Sequence, residues 1–349
     1  MFACVTPEGP ARFPFLPFAR QVLPDAREVS APSVRTWANL LVEAVVGFLP
    51  DEAPWSLHIF PFKEVVSSSR MGARAFHTRA RAGRERLERR AEQPSSSVGH
   101  HRGELIREAV VELLRKRRRH LLRHLREEAL PFAEDEALVQ LLLATPETGF
   151  LSLAKAPLPF AQRHVVSCFP GGEVELARDQ RAPSRAFAKL VEAEARLGRR
   201  IAARETCVDL GASPGSWTFV AAERGAQVIA VDRSELRADL MQHPRVRFQR
   251  GDAFRYEPPA PVDWLVCDVI ASADRSAELL FEWLRQGWCR HFVVTLKVSD
   301  EGSADTLARL ARELPPLTSE LGLLRLCANK KEVCVFGTIS SDQKRSLST

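Results

Sequence analysis

The chain reads as an α/β protein, with a doubly wound, mostly parallel sheet in its C-terminal half behind a smaller α+β region. Three observations predict this. From about residue 184 onward, short apolar runs alternate with amphipathic stretches of helical period, the pattern of repeated βαβ units. One run, Val208-Asp209-Leu210, breaks into the turn Gly211-Ala212-Ser213-Pro214-Gly215 just before a helical pattern opens at Ser216-Trp217-Thr218. The last two apolar runs are joined by the short stretch Asn329-Lys330-Lys331 and so predict an antiparallel hairpin closing the sheet.

The N-terminal part starts irregular and Pro-rich. A helical pattern follows over Val34–Phe48, then an alternating strand over Trp55–Phe62. Residues 64–102 hold two Ser triplets and many Arg, and read as a solvated linker. A helix is predicted over Gly103–Glu128, with Leu105, Val110, Leu113, Leu114, Leu121, Leu122 and Leu125 as its apolar stripe. It carries Arg115-Lys116-Arg117-Arg118-Arg119, a run that reads as a solvated face or as a phosphate-contacting surface. Strands at Leu138–Ala144 and Gly149–Ala154 close this region.

In the second half, a helix is predicted over Ser184–Leu197. Strands follow at Thr206–Leu210, Gln227–Val231, Val246–Gln249, Trp264–Val269, His291–Leu296, Leu323–Ala328 and Glu332–Thr338. Helices fill the gaps at Trp217–Arg224, Glu235–Met241, Ser276–Gln286 and Ser303–Glu313, and a polar tail follows Ser340. The domain reading is 1–165, then 166–340, then a disordered tail at 341–349.

The 349 residues, 45% hydrophobic and 27% charged, suit two globular domains, and the net charge of +6 is a mild pointer to an anionic partner. The seven Cys are odd in number, scattered and mostly inside apolar runs, which predicts reduced thiols in a cytoplasmic protein. No Cys pair has zinc-like spacing, so no metal is predicted. No apolar run spans a bilayer and no signal-peptide pattern opens the chain, so no membrane is expected. Oligomeric state is not legible.

The glycines at 211 and 215 read G-x-x-x-G, not the G-x-G-x-x-G of a pyrophosphate site, which disfavours NAD. An acidic, Gly-rich loop of this kind suits a ligand with a ribose, a positive centre and no phosphate. S-adenosylmethionine fits. Gly211 and Gly215 allow close backbone approach, with Ser213, Pro214, Ser216 and Trp217 completing the loop. Asp209 is expected to face a positive amino group, Asp232 the ribose hydroxyls, and Asp252 the adenine amine. Each Asp alone would read as a cap or turn residue; their succession after consecutive strands is what points to the cofactor.

Asp268 and Lys297 end the fourth and fifth predicted strands, Glu332 opens the last, and Lys189 lies on the helix before the first. Ligands of open α/β sheets bind at the carboxyl ends of the strands, so Asp268 and Lys297 should face the cofactor's methyl group. A ribose hydroxyl is a very weak acid. Lysine, with a pKa of about 10.4, is a base only where burial or a second ammonium depresses it. Lys297 is the candidate closest to a general base, with Lys189, Asp268 and Glu332 tuning and positioning it.

These residues resemble the Lys-Asp-Lys-Glu tetrad of FtsJ-like RNA 2′-O-ribose methyltransferases. The match tightens towards the ribosomal RNA large subunit methyltransferase M family through Ala182-Pro183-Ser184-Arg185, Val208-Asp209-Leu210-Gly211-Ala212, Gly287-Trp288-Cys289-Arg290, Leu296-Lys297 and Lys331-Glu332-Val333. The resemblance covers roughly residues 180–338. It implies a Rossmann-like methyltransferase domain that uses S-adenosylmethionine on a cytidine of 23S rRNA, preceded by a THUMP-like RNA-binding region. The segment Leu16-Pro17-Phe18-Ala19-Arg20, the basic helix and the closing strands are compatible with the latter. Arg185, Arg115, Arg118 and Arg119 become candidate RNA contacts. Ser216 departs from the family's glycine there, and the N-terminal part reads as shorter than the family's. Two alternatives stand beside this reading. One is a base methyltransferase, disfavoured because Asp268-Val269-Ile270-Ala271 lacks the Pro-Pro-aromatic loop. The other is a non-catalytic RNA-binding or assembly factor.

Overall fold

The computed structural model describes residues 15–49, 52–62, 97–126, 136–155, 164–174, 176, 179–298 and 302–340. The linker predicted over 64–102 lies outside them up to residue 96, and its last residues, 97–102, are helical instead; the tail from 341 onward also lies outside them. The chain divides into two compact units, one built from Leu23–Glu127 and Glu134–Ala156, the other from Pro157–Thr349 with Pro7–Val22 added.

In the first unit the elements are β1 (Arg27–Ser30), α1 (Val34–Phe48), β2 (Trp55–Pro61), α2 (Ser97–Arg117), α3 (Arg119–Leu122), β3 (Leu125–Arg126), β4 (Ala137–Leu143) and β5 (Thr148–Lys155). They form a five-stranded sheet in the order β1-β5-β4-β2-β3. Ser33 caps α1 by accepting from the Thr36 N–H. Trp37, Leu41 and Val45 on α1 and Ile106, Val110 and Leu114 on α2 share one apolar cluster with Trp55 and Leu57 of β2. Val110 and Leu114 lie on the stripe read from the sequence, whereas Leu105, expected on it, is exposed and Ile106 is buried in its stead.

The second unit contains α4 (Phe187–Leu197), β6 (Thr206–Leu210), α5 (Ser216–Glu223), β7 (Gln227–Asp232), α6 (Ala238–Met241), β8 (Val246–Arg250), β9 (Val262–Cys267), α7 (Ala273–Arg285), β10 (Cys289–Lys297), α8 (Ser303–Glu313), β11 (Thr318–Leu324) and β12 (Glu332–Ile339). The sheet order is β11-β12-β10-β9-β6-β7-β8, with β12 antiparallel to both neighbours and the β10-β9-β6-β7-β8 pairs parallel. Successive residues of β9 fall into different apolar clusters: Trp264 and Val266 into one, Leu265 and Cys267 into the other. The sheet is therefore buried on both faces, which is why its strands read as continuous apolar runs. Strand order reverses between β6 and β9, so their C-terminal ends flank the crevice where such sheets bind ligands.

Several boundaries differ from expectation, each for a tertiary reason. The helix expected over Gly103–Glu128 starts at Ser97 and ends at Arg117. Arg118 leaves helical geometry (φ −148°, ψ 55°), and Leu125–Arg126 becomes a strand parallel to Trp55–Ser56. The Trp55 indole donates to the Leu121 carbonyl at 2.9 Å and anchors the turn between them. The strand expected at Leu323–Ala328 lies at Thr318–Leu324, and the connection to β12 is the longer stretch 325–331. There Arg325 N–H bonds Pro17 O (2.6 Å), while the Cys327 and Ala328 N–H groups go to Glu192. The helix expected over Glu235–Met241 is reduced to Ala238–Met241 because Glu235 O accepts from Ser213 Oγ and Arg237 N–H donates to Pro214 O. The short edge strand β1 went unread. Pro17 bonds Arg325 and Val22 bonds Val165, so the 16–22 segment belongs with the second unit rather than the first.

Candidate active site

The Gly-rich turn is shaped by its backbone. Gly211 has φ +72° and Gly215 φ +107°, values that L side chains rarely adopt. A Cβ on Gly211 would lie 3.0 Å from Val269, and one on Gly215 would lie 2.3 Å from the Leu240 side chain. Both glycines thus allow the loop to close against its neighbours. The Asp232 carboxylate, at the end of β7, stitches the turn down: Oδ2 accepts from Ser213 N–H (3.0 Å) and Oδ1 from Ser234 N–H (2.8 Å). Asp252 follows β8, accepts from Phe254 N–H at 3.0 Å and pairs with Arg233 at 2.7 Å. That backbone bond, then the guanidinium, hold the Asp252 carboxyl below the usual carboxylate range.

Three loop residues do other work than expected. Asp209 is buried and accepts from Thr218 Oγ1 at 2.6 Å, at the start of α5, instead of turning to the open crevice. Burial pushes its pKa up to about 7, against the pull of the Thr218 hydroxyl and N–H. Ser216 is also buried, with its Oγ 2.7 Å from Ser184 Oγ. The Trp217 indole donates to Ala186 O at 2.8 Å. Both tie α5 to the segment that leads into Lys189. The departure at Ser216 therefore fills the gap towards Ser184 and leaves the turn's backbone unobstructed.

Asp209 carries a pH prediction. Its proton is favoured in the folded state between 3.8, the ordinary value for an aspartate, and about 7. In that window the folded state binds more protons than the unfolded one, so stability falls as pH rises, by on the order of 4 kcal/mol for a shift of this size. Below the window both states are protonated and the penalty is absent. Asp209→Asn should therefore gain on the wild type in denaturant unfolding as pH goes from 5 to 8. A gap that does not widen would refute the assignment.

The four residues read as a catalytic set converge. Lys189, in the first turn of α4, donates to both oxygens of Asp268 at 3.0 Å, one residue beyond β9. Its Nζ is also 3.6 Å from Glu332 Oε1. Lys297 ends β10 and faces Glu332 across the antiparallel ladder, donating to the same Oε1 at 2.5 Å. Lys330 N–H donates to Glu332 Oε2 at 2.7 Å, and Thr295 Oγ1 donates to Asp268 Oδ1. Burial would raise the Glu332 pKa, but the Lys297 bond, the Lys330 N–H and the two ammonium charges outweigh it and hold it at about 2. Glu332 therefore stays ionised at any working pH and anchors both lysines. The lysines differ in access: the Lys189 side chain is 10% exposed, that of Lys297 25%. Lys297 is the one with a face towards the open edge of the sheet.

Two supporting residues were not anticipated. Thr295 lies two residues before Lys297, on the same face of β10. Glu192 is fully buried one turn after Lys189. It takes the Arg196 guanidinium (3.0 and 2.9 Å), Cys327 N–H (3.0 Å) and Ala328 N–H (3.2 Å). One helix thus carries Lys189 and clamps the loop that presents Glu332. The spacing of Lys189, Glu192 and Arg196 on one helical face was the available signal. Arg185 is exposed, as are Arg115, Arg118 and Arg119 in the other unit.

Residues 182–307 match the family model described as FtsJ-like methyltransferase. That stretch of the second unit is similar to FtsJ-like methyltransferases. Among curated proteins, it is 35% identical over 180 residues to the ribosomal RNA large subunit methyltransferase M of Halorhodospira halophila, covering 51% of this chain and 53% of that one. It is 44% identical over 173 residues to the protein of the same name from Xylella fastidiosa, covering 45% and 47%. The chain spans about half the length of the curated relatives it matches.

S-adenosylmethionine is the cofactor of such a methyltransferase domain, and the donor set here fits it. Asp232 and Asp252 stand at consecutive strand ends. Each oxygen of Asp232 uses one backbone N–H and keeps a lone pair for a hydroxyl or amine. The turn between Gly211 and Gly215 contains no Lys or Arg, which suits a ligand without phosphate.

Proposed function

We propose that this chain transfers a methyl group from S-adenosylmethionine to a ribose 2′-hydroxyl of large-subunit ribosomal RNA, with a cytidine of the 23S molecule as the finer target. The observation that carries the reading is the convergence of Lys189, Asp268, Lys297 and Glu332 at the sheet edge beside the Gly-rich turn. When bound, the cofactor supplies an electrophilic methyl group on a sulfonium. Lys297 is the residue whose Nζ would take the hydroxyl proton as the methyl group is transferred. Glu332 holds Lys297 in line and takes no proton, since its pKa lies near 2. Asp268 fixes Lys189, whose positive charge stabilises the oxygen as it loses its proton.

The first unit is read as a THUMP-like RNA-binding module. Exposed Arg115, Lys116, Arg117, Arg118 and Arg119 support it, and RNA binding should weaken steeply with salt. A cytoplasmic location goes with this reading of the substrate. Among the described residues no helix is long and apolar enough to cross a membrane.

The test is methyl transfer from labelled S-adenosylmethionine to naked rRNA, and to large-subunit precursors, from cells lacking the gene. Nucleoside digestion should yield 2′-O-methylcytidine. A methyl group on a base would instead select the base-methyltransferase reading. No transfer to either RNA by folded protein would select a non-catalytic binding factor.

A further inference from the structure

Ile270 is 89% exposed, far above the next large apolar side chain among the described residues, Phe18 at 61%. It lies two residues beyond Asp268. Its neighbour Val269 packs inward, against Gly211 of the cofactor turn and the adjoining apolar cluster. With Val269 turned in, Ile270 is turned out. The segment is tied at both ends. Asp268 is held by Lys189 and Thr295, and Ser272 bridges Lys297 and caps α7 through the Arg275 N–H. An apolar side chain fixed in water at this point forgoes the stabilisation that burial brings. Exposed cations share the same edge of the sheet. Arg275 opens α7, and Lys330 and Lys331 immediately precede Glu332.

Cations beside an apolar side chain suit a nucleotide, with charge for the phosphates and a dry surface for the base. We propose that Ile270 is a positioning residue on which the base of the acceptor nucleotide packs, holding its ribose at Asp268 and Lys297. The inference rests on the RNA ribose reading above and deepens it. Two residues of extended chain span about 7 Å, the scale of one nucleoside. A base inside a duplex is already stacked on both faces, so the acceptor is an unpaired or everted nucleotide.

The experiment compares wild type with Ile270→Ala, Ile270→Asp and Ile270→Leu in steady-state transfer with rRNA as the varied substrate, alongside S-adenosylmethionine binding by calorimetry. Ile270→Asp should raise KM for RNA about tenfold or more, Ile270→Ala somewhat less, and Ile270→Leu should restore it. Cofactor affinity should stay within about twofold, because the side chain faces away from the turn. An unchanged KM in Ile270→Asp, with active wild type, overturns the role of Ile270 and leaves the reaction standing. Wild type that methylates no RNA overturns the reaction, and this inference with it.

Discussion

Lys297→Met should lower kcat for methyl transfer by about 10²–10⁴-fold, the usual contribution of a positioned acid–base group. Binding of S-adenosylmethionine should be retained, because the Gly-rich turn, Asp232 and Asp252 make no hydrogen bond to Lys297. Lys297→Arg separates charge from proton transfer. A guanidinium keeps the ion pair with Glu332 but does not give up its proton in the working range. It should therefore be nearly as inactive as Lys297→Met while folding like the wild type. Single-turnover kinetics with saturating cofactor decides the matter. If Lys297→Arg keeps more than about a tenth of the wild-type rate, Lys297 supplies charge and not a proton-accepting site.

Removing Glu192 should have the largest effect on stability. Its side chain and that of Arg196 are 1% and 2% exposed, and the pair is the hub joining α4 to the loop before β12. Glu192→Ala leaves a guanidinium buried without its carboxylate and two loop N–H groups without their acceptor. The expected loss is about 3–5 kcal/mol, or roughly 6–20 °C in Tm for a unit of this size. Glu192→Gln should recover part of it, since an amide oxygen still accepts from the loop. Thermal unfolding followed by circular dichroism reads both variants. A Glu192→Ala Tm within about a degree of wild type would mean that the loop is held by other contacts. Because the loop carries Lys330 and leads into Glu332, the Gln variant should also lose kcat while its affinity for the cofactor holds.

Period and punctuation made the scaffold of the second unit legible. β6 and α8 fall where the apolar pattern put them, because a strand buried on both faces and an amphipathic helix leave unmistakable marks in one dimension. The same holds for Asp268 and Lys297. Polar residues that end apolar strands must emerge at the sheet edge, whatever surrounds them. Elements whose backbone bonds are claimed from far along the chain were not legible. β11 ends early because Pro17 and Glu192 take the N–H groups that would have continued it, and α6 is cut short by Ser213 and Pro214.

The sequence by itself determined the sheet, the Gly-rich turn and the identity of the four charged residues at its edge. These depend on local period, on glycine's access to positive φ, and on where an apolar run stops. Only the tertiary structure decided which way those side chains turn. Asp209 faces inward to Thr218, Ser216 and Trp217 hold the Lys189 segment, and Glu332 is shared by two lysines. A carboxylate or hydroxyl has partners available in several directions, and the choice among them is made by the elements packed against it. Those elements come from residues 9 to more than a hundred positions away in the chain.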